Sequence, residues 1–185
     1  MGPIEQLLNQ LGQRGDPRAL PLRREEVAGL IDALRARLRC GPSDLDLSIE
    51  SLRRLESQLL RLAQEGPFSS RVDVLKLVRE LVAYIGQVLA NQAQGRWEFG
   101  PNLWATYVVY DRTVRAIKGR ETRTYPSAMD VIGNIAASSL DAIDAGMPPD
   151  LQTVYKRAIA PVVRERLSPR KPHGSTARKA TRRRK

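Results

Sequence analysis

Three carboxylates, Asp130, Asp141 and Asp144, recur at spacings that put them on one face of a helix reading from Ala128 to Ala145. Carboxylates held side by side can divide acid and base work, or hold a hard cation. On the same helix Val131, Ile132, Ile135, Ala136, Leu140 and Ile143 fall on the opposite side, so the acidic face, with Asn134, is the one turned from the core. An acid/base pair with tuned pKa values needs desolvation. The expectation is therefore a solvated acidic face, and no residue is assigned a catalytic role.

A second group is aromatic. Trp97 and Trp104 flank a turn at Gly100-Pro101-Asn102, and Tyr107, Tyr110 and Tyr125 follow. Such rings either close the core between a sheet and a helix or line a surface for a partner. Both readings stay open here, and Trp97, Trp104, Tyr107 and Tyr110 form the candidate partner surface.

Other chemistry is limited by composition. Cys40 is the only cysteine and His173 the only histidine, so no intrachain disulfide forms and no His/Cys metal cluster can be built. No Gly-rich phosphate loop, G-x-S-x-G elbow or H-E-x-x-H motif occurs. The expectation is a protein without cofactor or metal, and not an enzyme. A reducing compartment fits the cysteine count, and no apolar run approaches the ~18 residues of a spanning helix. The start, MGPIEQLLNQ, lacks the order of a secretory signal. A cytoplasmic protein with no membrane partner is expected.

Charge is unevenly placed. The 185 residues carry +11, but from Arg164 to Lys185 ten Lys/Arg face Glu165 alone, a net +9 that leaves +2 for residues 1–163. The basic character thus belongs to a tail. Arg170, Lys171, Arg178, Lys179, Arg182, Arg183, Arg184 and Lys185 are the candidate nucleic-acid tether, since each cation that neutralises a phosphate strengthens binding without reading sequence. Too few apolar residues occur there to offset the entropy of ordering, so the tail is expected to be disordered.

The elements that position these groups follow from periodicity. Ile4, Leu7, Leu8 and Leu11 predict a short helix from Pro3 to Gln13, closed by Gly15-Asp16-Pro17. Val27, Leu30, Ile31, Leu34 and Leu38 predict a second, from Arg24 to Arg39, ended by Gly41-Pro42, with Arg23, Arg24, Arg35, Arg37 and Arg39 as a solvated flank. Ser48 is placed to cap a third, carrying Leu52, Leu55, Leu59 and Leu62 and stopping at Gly66-Pro67. A long helix over 72–94 is apolar around half its circumference, which predicts packing on two sides and no exposed surface; Gly86 within it either permits a close backbone approach, the leading expectation, or marks a local bend.

After Gly95 the pattern turns β-like. Strands are expected at 97–99 and 103–110 as a hairpin, then at 114–118 and 122–125, before the acidic helix and a short helix over 151–160. The fold class expected is α+β: N-terminal helices and a long central helix packed on a small antiparallel sheet, then C-terminal helices and the basic tail. The division is an N-terminal helix and linker at 1–19, one domain at 20–163 and the tail at 164–185.

Three short motifs add a resemblance. Ser48-Ile49-Glu50-Ser51-Leu52, Tyr84-Ile85-Gly86-Gln87-Val88 and Gly95-Arg96-Trp97, with Tyr125-Pro126 further on, resemble the S-x-E-S-L, Y-x-G-E-V, G-x-W and Y-P motifs of small uncharacterised bacterial proteins. The resemblance covers roughly residues 20–145 and departs at Gln87, where those proteins carry Glu. It implies an α+β domain without an assigned reaction, similar to bacterial immunity and other protein-binding modules. The leading expectation is a non-enzymatic domain, immunity-like or adaptor, that binds another protein. The alternative is a nucleic-acid-associated protein tethered by its tail.

Overall fold

The long helix predicted over 72–94 is the centre of the observed structure. The computed structural model describes residues 2–13, 22–93, 95–99, 107–110 and 128–152. Within them lie α1 (Pro3–Gln13), α2 (Arg24–Leu38), α3 (Ser51–Ala63), a 3-10 turn (Phe68–Ser70), α4 (Val74–Ala93), β1 (Gly95–Glu98), β2 (Tyr107–Tyr110) and α5 (Ala128–Asp144).

Every α4 residue from Glu80 to Gly86 is buried, as are Val88, Leu89 and Ala90. Leu77, Val78, Leu81, Val82, Ile85 and Val88 each contribute about 1.5–3 kcal/mol of burial, well beyond the ~1 kcal/mol that a mid-helix glycine costs. α2 packs against one side of α4, and α5 with the strands against others. The helix starts two residues later than predicted: Val72 is fully exposed and lies outside the apolar face.

Helices dominate the described residues. β structure there is one antiparallel ladder, pairing Gly95 with Tyr110, Arg96 with Val109, Trp97 with Val108 and Glu98 with Tyr107. The expected strands at 114–118 and 122–125 lie outside the described residues, as do 103–106 of the second strand and 153–160 of the last helix.

α1 buries Ile4, Leu8 and Leu11; Ile4 and Leu8 share one buried cluster with Leu34, Leu55, Tyr84 and Leu140. Its neighbours are α5 and the 3-10 turn.

Two helix ends differ from expectation. α2 closes on Arg39 in the left-handed region (φ 55°), with the Cys40 N–H donating to the Arg35 carbonyl at 2.9 Å, so the turn is complete before Gly41. α3 begins at Ser51, and Ser48 sits a turn ahead, its Oγ accepting the Ser51 N–H at 3.2 Å.

The arginine flank of α2 is also more engaged than a solvated face. Arg37, 19% exposed, donates to both oxygens of buried Glu80 on α4, at 2.7 and 3.1 Å, and also to Asp73. A second ion pair, Arg79 to Glu26 at 3.3 Å, crosses the same helix pair. These bonds fix how α2 lies along α4.

Candidate functional site

The acidic face of α5 performs structural work. Both oxygens of Asp141 accept backbone N–H groups from the first turn of α1, Ile4 at 2.9 Å and Glu5 at 3.1 Å. Both oxygens of Asp144 do the same for the 3-10 turn, from Phe68 at 2.7 Å and Ser69 at 2.8 Å. Each carboxylate therefore caps another element's orphan donors. Half-buried and committed to backbone, the two are not the solvated pair expected; the side chain of Asp130 lies outside the described residues. Among the described residues no group of three His, Cys, Asp or Glu is placed to hold a metal ion.

The three short motifs meet in space. Ser51 Oγ lies 2.5 Å from the buried Tyr84 hydroxyl and 2.6 Å from the Ser48 carbonyl. A serine has one hydroxyl proton; given to Ser48, it leaves Tyr84 as donor to Ser51. The Tyr84 oxygen in turn accepts the N–H of Leu47 at 3.4 Å, a residue held at φ 63°. Further along α4, Gly86 lies under the indole of Trp97: a Cβ on Gly86 would overlap Cη2 and sit 2.8 Å from Cζ2. Trp97 Nε1 donates to Gln87 Oε1 at 2.9 Å, and Gln87 Nε2 donates to Asn91 Oδ1 at 2.9 Å. The indole also stacks on Phe99, with centroids 5.7 Å apart.

This fixed indole is one wall of a groove of about 640 Å³ between α2, α4 and β1. Buried Val27 and Ile31 form its floor. Half-buried Leu47, Gln87 and Arg35 join Trp97 in the walls, and exposed Arg24, Ala28, Asp32 and Asn91 form the rim. The size falls within the roughly 300–1,000 Å³ of ligand and side-chain pockets.

Its charges are partly spent. Arg35 Nη1 bonds Asp32 at 3.0 Å and Nη2 bonds the Leu45 carbonyl at 2.7 Å, so the charges of this cation and this acid offset each other, while buried Arg35 Nε keeps no hydrogen-bond partner among the described residues. The Arg24 guanidinium has no hydrogen-bond or ion-pair partner among the described residues. Asp32, 73% exposed, is the only acid among the described residues that line the groove. The arrangement offers an apolar floor, an aromatic wall, amide donors and, among the described residues, one free cation, which is equipment for holding a ligand.

Of the four rings named as a partner surface, Trp97 alone can be placed in the groove. Trp104 lies outside the described residues; Tyr107 and Tyr110 pair opposite Glu98 and Gly95, with side chains outside the described set. The candidate tether, 170–185, is outside it too. Sequence reading missed Arg24, Asp32 and Arg35, which it placed on a solvated flank or left unread. It also discounted α4 as a source of surface, although Gln87 and Asn91 reach the groove. The signal that could have found them was the polar pair Gln87/Asn91 at i, i+4, a break in an otherwise apolar stretch of helix.

Comparison with protein-family models, with curated proteins and with solved structures gave no match to this chain. No helix among the described residues is long and apolar enough to cross a membrane.

Proposed function

We propose that this chain is a non-enzymatic bacterial protein-binding domain, of immunity-like or adaptor type, and that it docks its partner in the groove between α2, α4 and β1. The carrying observation is the indole of Trp97, set against Gly86 and anchored through Gln87 while half-exposed beside an apolar floor. An aromatic side chain fixed before binding loses little entropy on association, which is how interface anchors gain affinity. The domain is taken as α+β, with the β1–β2 ladder as part of a small antiparallel sheet. Its setting is taken as cytoplasmic.

Site-specific photo-crosslinking in the source cell tests it. A photoreactive residue at Ala28, on the groove rim, is expected to trap a protein. The same residue at Ser57, exposed on α3, is expected to trap none. Equal labelling from both positions, or none from Ala28, would sink the reading.

A second reading rests on the +9 charge of residues 164–185. If the tail tethers the chain to nucleic acid, binding falls steeply with salt and disappears when the tail is removed. Binding that survives removal of the tail refutes the tether.

A further inference from the structure

We infer that the groove selects an acidic peptide segment of the partner, with a carboxylate set against Arg24 and a neighbouring bulky apolar side chain lying over Val27 and Ala28 against Trp97. The inference rests on the protein-binding reading and specifies its partner.

Charge complementarity carries it. Within the groove Arg35 and Asp32 neutralise each other at 3.0 Å, so Arg24 supplies the net charge. Arg24 is the first residue of α2, where the helix dipole adds positive potential to its own. A cation at this end is unfavourable for the helix dipole, and no ion pair among the described residues offsets it; an incoming anion would. Of the two acids in that first turn, Glu26 is tied to Arg79 and to the Arg23 N–H, and Glu25 does not line the groove. Further in, Gln87 Oε1 and Asn91 Oδ1 each accept one bond of the Trp97–Gln87–Asn91 relay, while one Gln87 N–H and the Asn91 amide N–H groups stay outside it as donors for a peptide carbonyl or carboxylate. Donors, a cation and an apolar floor match a segment that brings carboxylates, backbone carbonyls and one large aliphatic or aromatic side chain. The chain's +11 charge acts in the same direction, raising encounter rates with an acidic partner.

The test is selection of a short random-sequence peptide library on the full chain, with Arg24→Glu and Ala28→Arg chains as counter-baits. Both positions are exposed, and equal melting midpoints will show that the variants fold. Enriched peptides are expected to pair Asp or Glu with Leu, Ile or Phe, and to bind either variant about tenfold or more weakly. They should also move the indole N–H resonance of Trp97, assigned by its loss in Trp97→Phe. Enrichment of basic or uncharged peptides, retention by both variants, or no enrichment overturns the inference. So does an oligonucleotide that moves the same resonance. Failure here leaves a distinguishable record: a protein trapped from Ala28 alongside non-acidic peptides removes the acidic preference only, whereas no protein trapped from Ala28 removes the docking reading beneath it.

Discussion

Gly86 and Trp97 hold each other in place, and each makes sense of the other. The indole occupies the volume a Cβ would need, and its Nε1 is then within reach of Gln87. Gly86→Ala should therefore cost about 1–3 kcal/mol of overpacking, more than the ~1 kcal/mol gain in helix propensity returns. Chemical denaturation of Gly86→Ala, Trp97→Phe and the double variant gives the coupling; a double variant no more stable than the sum of the singles would show that the ring is not the obstruction. Tyr84 makes the complementary case for polarity. Burial pushes its hydroxyl pKa up, while the unfolded chain ionises near the ordinary value of about 10. The sign is that of a raised acid: the contribution is complete below about pH 10 and lost as pH rises through the folded value. Tyr84→Phe should cost about 1–3 kcal/mol near neutrality, by stripping a partner from Leu47 N–H and Ser51 Oγ, and should flatten the alkaline fall in stability. Denaturation curves across alkaline pH check both; an unchanged alkaline slope in Tyr84→Phe contradicts the assignment.

At the scale of elements, capping is done in trans. α1 and the 3-10 turn have their first backbone donors taken up by α5, from Asp141 and Asp144, rather than by a residue of their own segment. Asp141→Ala should destabilise by about 0.5–2 kcal/mol, and Asp141→Asn, which keeps an acceptor, by less. The loss should be local, with amide exchange rising in α1 ahead of α4; uniform acceleration along the chain would place Asp141 elsewhere in the energetics. Helix existence was legible in the sequence, because the apolar periods of α1, α2, α4 and α5 are local signals. What the carboxylates do was not, because Ile4 and Asp141 are 137 positions apart and no periodicity connects them. The same limit hid Arg37, whose partner Glu80 looks like an ordinary surface acid until α2 lies on α4. Local chemistry was right in part at the ends: Ser48 Oγ does accept a first-turn N–H, that of Ser51, although α3 opens only there, whereas Arg39 and not Gly41 closes α2.

Across the whole molecule, charge is concentrated at one end of the chain. The buried cluster draws on residues from Ile4 to Leu151, while +9 of the +11 lies beyond residue 163. The charge distribution was fully legible, since it needs only counting. The groove was half legible: Trp97 could be named from its type, but its setting against Gly86, across the groove from Arg24, depends on β1 folding back along α4. A stability consequence follows from the composition of the basic end. Residues 164–185 contain Leu167, Ala177 and Ala180 as their only hydrophobic side chains, so removing them takes almost no apolar burial from the fold. The truncated chain should unfold within about 0.5 kcal/mol of the full one. Its retention on a polyanion should become nearly independent of salt, because every phosphate no longer neutralised takes about 0.9 off the slope of log affinity against log salt. A drop of several kcal/mol on truncation would mean the tail packs on the domain. A salt slope that persists would move the anion-binding charge onto the folded part, where Arg24 is the first residue to test.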